Sequence, residues 1–152
     1  MVPGLVSQKI AAAKLDAISE MLGSIESLPL ASEKEFTRDP HMVAAGESYL
    51  RRALEALLDL GRHILAKGFG LPVAEYAAIA EQLGAKGVVA NDLAATLKLM
   101  ASYRNRLVHE YDVVTPSELY TILTAKIPDV VTVSDAIRSW LAENPERVDK
   151  SL

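Results

Sequence analysis

The sequence predicts an all-α protein, and three observations carry this prediction. Half of the 152 residues are apolar but only 5% are aromatic, and this Ala- and Leu-rich composition favours helices over strands. Apolar side chains recur every three or four residues, the period of one helix face, as in Leu15, Ile18, Leu22 and Ile25. The seven prolines fall between the periodic segments or in the tails, where they interrupt no helix. We therefore expect one helical domain over residues 1–152, without strands.

Local start and stop signals divide the chain into four core helices and short additional ones, with two long antiparallel helices first. Asp39-Pro40 has the residue types of an N-cap followed by a first helical position. Asn91 is placed to cap a later helix, and Thr115 with Glu118 matches a capping box. The predicted helices cover residues 5–28, 40–67, 73–83, 91–111 and 130–141, with a shorter one after Pro116 and a polar loop at 31–37.

Charge and composition exclude several classes of protein. The net charge of −4 and the pI near 5.4 argue against a general nucleic-acid coat, although a small local basic patch could still meet RNA. The absence of cysteine excludes disulfides, thiolate zinc sites and cysteine nucleophiles. No apolar run is long enough to cross a bilayer, and the first residues lack the pattern of a signal peptide. We expect a cytoplasmic protein that needs no membrane, metal or cofactor.

The residues best suited to chemistry lie at the end of the fourth predicted helix. Arg104 is followed by His109 and then by Tyr111. An arginine can hold a phosphate through two parallel hydrogen bonds, and a histidine can accept or donate a proton near neutral pH. These are the groups that metal-free RNA cleavage requires, in which the ribose 2′-hydroxyl attacks the adjacent phosphorus and leaves a 2′,3′-cyclic phosphate.

The spacing of Arg104 and His109 does not suit one regular helix. Five residues of ideal helix place the two side chains about 140° apart around the axis, so that they cannot reach one phosphate together. Either the helix bends near this point, or a symmetric dimer brings two copies of the motif into one cleft. A dimer would also supply two histidines for a reaction that needs both a base and an acid, and we predict it.

Arg104, His109 and Tyr111 match the R-x4-H-x-Y motif of the HepT family of HEPN-domain toxins, which this chain therefore resembles. The resemblance implies an all-α, HEPN-type antiparallel bundle that forms symmetric homodimers, with the motif at the subunit interface. It also implies a partner, an MNT-type nucleotidyltransferase antitoxin that silences the toxin by adding AMP to Tyr111. The expected assembly is thus a type VII-like toxin–antitoxin system.

For the activity, the resemblance implies a metal-independent endoribonuclease that cuts RNA, either tRNA or mRNA. Arg104 would bind the scissile phosphate, and His109 would act as general acid or base. Asn105, Arg106 and Tyr111 would bind substrate or support the site. Two alternatives remain open. The chain could be a non-catalytic HEPN module that only binds a nucleotidyltransferase, which suits the acidic pI, or a structural bundle whose basic helix end matches the motif by chance.

Other polar residues of the second predicted helix have simpler interpretations. Arg51 and Arg52 could extend a phosphate-binding surface, but pairing with Glu47 and Glu55 at helical spacing is the favoured interpretation. Glu47 could also orient a catalytic group. His41, in the first turn of this helix, is expected to be exposed.

Two further pairs of residues lie on the same predicted helix. Arg62 and His63, beside Asp59, are interpreted as surface residues rather than as a site. Gly46 and Gly61 interrupt the helix, where glycine costs about 1 kcal/mol relative to alanine. A close helix approach would explain them, either within the bundle or across a dimer.

Overall fold

The computed structural model describes residues 4–109 and 113–151, and its long elements are all helices. None of the helices in these ranges is both long and apolar enough to cross a membrane. The prediction of an all-α fold is confirmed. In chain order the α-helices and strands are β1 Val6–Ser7, α1 Gln8–Glu26, α2 Glu33–Thr37, α3 Pro40–His63, α4 Tyr76–Ala85, α5 Asn91–Val108, α6 Pro116–Thr121, α7 Ile127–Glu143 and β2 Val148–Asp149.

Helix α3 occupies the middle of the core and packs against α1, α4 and α5. Its side chains Leu50, Leu54 and Leu57 are fully buried, because apolar residues at three- and four-residue spacing share one face. Ile18 and Ile25 of α1 are almost fully buried. The first two long helices predicted from the sequence thus form the main packed pair of the bundle.

Two of the predicted helix starts are confirmed by their caps. The Asp39 carboxylate accepts a hydrogen bond from the His41 N–H at 3.0 Å, and the Thr115 hydroxyl accepts one from the Glu118 N–H at 3.1 Å. Each cap satisfies an N–H group that has no partner inside the helix. The prediction for α5 was wrong by one residue: Ala90 is its cap and Asn91 its first helical residue.

The predicted polar loop at 31–37 contains a short helix, α2. The Ser32 hydroxyl caps it by accepting the Glu35 N–H at 3.3 Å, and Phe36 is fully buried. Burial of one large aromatic side chain stabilises by roughly 1.5–3 kcal/mol, which helps to hold five residues in a helix. This anchor, and not the local propensity of a polar segment, accounts for the difference.

The expectation of no strands was wrong at the two ends of the chain. Val6 pairs with Val148 in a short parallel ladder, and the Val6 side chain is fully buried. Nearby, the Arg147 guanidinium donates to the Gly68 carbonyl oxygen at 2.9 Å. Two-residue strands lie below the length at which alternation of apolar and polar residues can be recognised.

Two π-helical turns extend predicted helices. One, Ile64–Gly68, continues α3, and the other, Ile122–Lys126, joins α6 to α7. Pro128 therefore lies inside a continuous helical run, contrary to the expectation that every proline lies outside one. It is tolerated because it falls in the first turn of α7, where a missing N–H costs least.

The two glycines of α3 face other parts of the same bundle. A Cβ atom on Gly46 would lie 2.9 Å from Leu123 Cδ1 and 3.1 Å from Phe36 Cζ. A Cβ on Gly61 would lie 2.8 Å from Leu83 Cδ1. Close approach within the chain therefore accounts for both glycines.

Candidate active site

Helix α5 ends earlier than predicted, and His109 lies just outside it. The last helical residue is Val108, and His109 adopts an extended backbone with φ −89° and ψ 122°. Its N–H still donates to the Asn105 carbonyl oxygen at 3.0 Å. The extended ψ of His109 turns the chain only after this residue, because its N–H keeps the helical hydrogen bond. The bend and the dimer therefore both stay predictions.

Arg104 is held by three contacts to neighbouring side chains. Its Nε lies 3.6 Å from Glu55 Oε1, an ionic contact too long for a hydrogen bond. Its Nη1 donates to Asn105 Oδ1 at 3.3 Å, and its Cζ lies 4.7 Å from the ring centroid of Tyr76. Nε is buried and has no hydrogen-bond acceptor among the described residues. Arg104 is therefore oriented by its neighbours without being neutralised by a close ion pair.

Glu55 connects two arginines. Arg51 donates to Glu55 Oε1 at 2.9 Å, which confirms the pairing predicted from helical spacing. The same oxygen is the one that approaches Arg104, a contact between α3 and α5 that the sequence did not indicate. Arg52 is exposed and Glu47 is half-buried.

Tyr76, the first residue of α4, links α3 to the same region. Its hydroxyl donates to Asp59 Oδ1 at 3.0 Å. Arg62 donates to the same oxygen at 3.0 Å and to the Ala74 carbonyl at 3.0 Å. Burial and the hydrogen bond to Asp59 raise the pKa of Tyr76. The phenol therefore stays protonated and acts as a donor.

These side chains meet at an open cleft of about 310 Å³. Arg104 and Asn105, which belong to the motif, share it with Arg62, for which the sequence predicts a surface position. Arg62 is indeed partly exposed, with 42% of its side chain accessible, but it belongs to this cleft. The residues that line the cleft are Arg62, Ala74, Glu75, Tyr76, Ala77, Arg104 and Asn105.

Arg106 binds the carboxylate of Glu118, in the first turn of α6. Its guanidinium donates to both oxygens of the Glu118 carboxylate, at 2.5 and 2.8 Å, and to the Val113 carbonyl at 3.4 Å. The hydrogen bond from Arg106 lowers the pKa of Glu118. Only half of the predicted capping box is seen, since Thr115 accepts the Glu118 N–H while the Glu118 carboxylate binds Arg106.

The remaining candidate residues are placed as follows. Tyr111 lies outside the described residues. His41 is exposed, as predicted. His63 is half-buried, and its Nε2 accepts the Ser7 N–H at 3.0 Å. Burial lowers the pKa of His63, and the positive charges of Lys67 and Lys14 lower it further.

Comparison with known proteins identifies the family of this chain. The family model for HepT-like ribonucleases matches residues 18–137, which include Arg104, His109 and Tyr111. The chain belongs to the HepT-like ribonuclease family. Over 137 residues it is 25% identical to a protein named tRNA nuclease HepT from Aphanizomenon flos-aquae (strain 2012/KM1/D3), and the match covers 90% of this chain and 92% of that relative.

Solved structures share the fold of this HepT-like chain. YutE from Bacillus subtilis, a cytosolic protein of unknown function, is 20% identical with a TM-score of 0.79, over 93% of this chain and 94% of that one. A tri-AMPylated HEPN toxin from Shewanella oneidensis, solved in complex with an MNT antitoxin, is 20% identical with a TM-score of 0.78, over 86% of this chain and 97% of that one. The bundle is therefore of the HEPN type.

Proposed function

We propose that this chain is the toxin of a toxin–antitoxin pair, an endoribonuclease that cleaves RNA without a metal ion. The observation that carries the proposal is the arrangement at the end of α5. Arg104 lines an open cleft, and five residues later an exposed His109 leaves the helix. Membership of the HepT-like ribonuclease family supports the same activity.

Arg104 binds the scissile phosphate in this proposal. A guanidinium group stays charged at any physiological pH and presents N–H groups in a planar fork that matches two phosphate oxygens. Contact with Tyr76 and with Glu55 orders the side chain before RNA arrives, so that less entropy is lost on binding. The guanidinium then stabilises the additional negative charge that develops on the phosphoryl oxygens during attack.

His109 transfers protons to and from the RNA in this proposal. The ribose 2′-hydroxyl loses its proton to one imidazole and bonds to the adjacent phosphorus. The bond from phosphorus to the 5′-oxygen breaks, and that oxygen takes a proton from a second imidazole. Because each chain carries only one histidine in the motif, a symmetric homodimer that brings two motifs into one cleft would supply both groups.

The substrate and the partner are proposed from relatives. The similarity to a protein named as a tRNA nuclease favours tRNA as substrate, with mRNA as the other candidate. The HEPN toxin of similar fold was solved AMPylated and in complex with an MNT antitoxin. We propose the same kind of nucleotidyltransferase partner here, with AMP added to Tyr111. The added phosphate and bulk would exclude RNA by charge and by size.

The proposal is tested with protein made without any partner. Parent, Arg104→Ala and His109→Ala proteins are incubated with tRNA and total RNA in EDTA, beside His41→Ala as a matched histidine control. Cleavage by the parent and the control but by neither site variant is expected, and the product should end in a 2′,3′-cyclic phosphate. Size-exclusion chromatography with light scattering on the same samples tests the dimer.

Silencing is tested separately with an MNT-type nucleotidyltransferase and ATP. The parent should gain the mass of AMP and lose its ribonuclease activity, whereas Tyr111→Phe should gain no mass and cleave RNA equally with and without the nucleotidyltransferase. Intact mass before the assay identifies protein that is already modified. A folded, unmodified parent that leaves RNA intact would overturn the catalytic proposal in favour of the non-catalytic binding module.

A further inference from the structure

Two arginines from different helices lie against one tyrosine ring. The Cζ atom of Arg62, on α3, is 5.2 Å from the centroid of Tyr76, and the Cζ atom of Arg104, on α5, is 4.7 Å from it. The distance between the two guanidinium carbons therefore cannot exceed the sum of these two distances. Both side chains line the same open cleft. The packing of α3, α4 and α5 thus brings two permanent positive charges together.

Neither guanidinium is saturated by its protein contacts. An arginine has five N–H donors. Among the described residues, Arg62 donates two hydrogen bonds, to Asp59 and to the Ala74 carbonyl, and Arg104 donates one, to Asn105. The two side chains are 42% and 25% accessible. Both are therefore oriented by the protein and still have donors for a ligand.

We infer that Arg62 is a second phosphate-binding residue of the candidate site and contacts an RNA phosphate that neighbours the one bound by Arg104. This inference rests on the proposed function and adds a subsite to it. Oriented guanidinium groups that line one cleft suit two phosphates of a single strand, because each can bind phosphate oxygens through parallel hydrogen bonds.

Tyr76 is a positioning residue in this subsite. Its ring is the surface that both guanidinium groups share, and its hydroxyl, kept protonated, anchors it to Asp59. An arginine stacked on an aromatic ring loses conformational freedom before the ligand binds. Tyr76 would thus fix the spacing of the two phosphate contacts.

Acidic groups near the cleft limit what it can bind. Asp59 offsets part of the charge of Arg62, Glu55 lies near Arg104, and the exposed Glu75 lines the cleft. Such a site does not attract polyanions in general, in agreement with the net charge of −4. It selects a strand whose phosphates match the positions of the donors.

Salt dependence of RNA binding counts the phosphate contacts and so tests Arg62 directly. The probe is a short fluorescein-labelled single-stranded RNA, bound to His109→Ala protein with and without Arg62→Ala. Each phosphate contact of a single strand contributes about 0.7 to the slope of log K against log salt. Loss of Arg62 should lower the magnitude of this slope by about 0.7. The ratio of the RNA affinities of the proteins with and without Arg62 should therefore fall roughly 2.6-fold between 50 and 200 mM salt.

Arg138→Ala is the matched control for this measurement. Arg138 also pairs with an aspartate three residues earlier, but it lies on α7 and does not line this cleft. Its loss should leave the slope unchanged. Arg62→Lys should keep the slope, since lysine also neutralises a phosphate, whereas Tyr76→Leu should weaken binding more than Tyr76→Phe, which keeps the ring.

The kinetics separate this inference from the proposed function. In a protein that cleaves RNA, Arg62→Ala should raise KM and leave kcat nearly unchanged, whereas Arg104→Ala should abolish cleavage. The subsite is overturned if the parent is active but neither the salt slope nor KM depends on Arg62. It is also overturned if Arg138→Ala loses as much slope as Arg62→Ala. Both results leave the ribonuclease in place. A folded, unmodified parent that is inactive, but whose RNA binding still loses slope with Arg62→Ala, supports the subsite and overturns the ribonuclease.

Discussion

Arg106 and Glu118 form a two-pronged ion pair in which the guanidinium donates to both carboxylate oxygens, at 2.5 and 2.8 Å. Arg106 belongs to the last turn of α5 and Glu118 to the first turn of α6. His109 and Tyr111 lie between them in sequence. The pair therefore joins the helix that carries Arg104 to the helix that follows the motif.

Replacement of Glu118 by glutamine should weaken this link. The amide keeps one acceptor and loses the charge, and because both side chains are partly exposed the cost in unfolding free energy should be about 0.5–1 kcal/mol. The folded-state pKa of Glu118 is lowered, so its contribution is present above its ordinary pKa and is lost as the pH falls through the folded value. Urea unfolding of parent and Glu118→Gln should differ at neutral pH and converge in acid. Asp135→Asn, which removes an exposed pair with Arg138, should have a smaller effect.

Glu55 should affect catalysis more than stability. Its carboxylate approaches Arg104 at 3.6 Å and helps to orient the guanidinium. Glu55→Gln should lower kcat by roughly tenfold, because small misplacements of a catalytic group are costly, with little change in melting temperature. Glu55→Asp, which keeps the charge, should recover part of the activity. Glu81→Gln removes an exposed pair with Lys98 and should leave kcat as in the parent; a Glu55→Gln protein with parental kcat would contradict the role.

Two glycine-to-alanine substitutions should change the free energy of unfolding in opposite directions. In α3, a Cβ on Gly61 would lie 2.8 Å from Leu83 Cδ1 and 3.0 Å from Ile79 Cγ2, and both of these side chains are fully buried. Gly61→Ala should therefore destabilise the protein by about 1–3 kcal/mol. Gly23 in α1 has no atom within 4 Å of the corresponding position, so Gly23→Ala should stabilise it by about 0.5–1 kcal/mol. Denaturant unfolding measures both, and a stabilising Gly61→Ala would refute the close contact.

The parts of the fold that the sequence predicts are those set by neighbouring residues. Asp39 and Thr115 start helices because each caps N–H groups within three positions, and such signals are visible in the sequence. Helix α2 was missed although Ser32 caps the Glu35 N–H just as Thr115 caps that of Glu118. A helix of five residues also needs the burial of Phe36, whose ring lies 6.0 Å from that of Tyr120 in a helix distant in sequence. The short β1–β2 ladder was missed for the same reason, since it joins the two ends of the chain.

The residues of the candidate site also divide into those that the sequence indicates and those that only the packing of distant helices brings in. Arg104 and His109 could be identified from their spacing on one segment. Arg62 and Tyr76 could not, because only the packing of α3 and α4 against α5 brings them to the cleft. The end of α5 at Val108 was also missed, since the apolar pattern continues past it and no glycine or proline marks the stop.

His63 should make the stability of the bundle depend on pH. Its Nε2 accepts the Ser7 N–H at 3.0 Å, and a protonated ring can no longer accept that bond. Its folded-state pKa lies below the ordinary value of 6.5 because of burial and the charges of Lys67 and Lys14. Below pH 6.5 the unfolded chain therefore binds the proton more readily, and the folded state loses stability as the pH falls towards the folded value.

A comparison of melting temperatures at about pH 7.5 and pH 5.5 isolates this effect. His63→Gln keeps an oxygen that can accept the Ser7 N–H but cannot titrate in this range, so its melting temperature should fall less than that of the parent. His41→Gln, at an exposed histidine, should behave as the parent does. If His63→Gln and the parent lose the same number of degrees, the neutral His63 ring is not what links the start of α1 to the end of α3. A smaller loss in His63→Gln alone assigns the pH-sensitive step to protonation of His63.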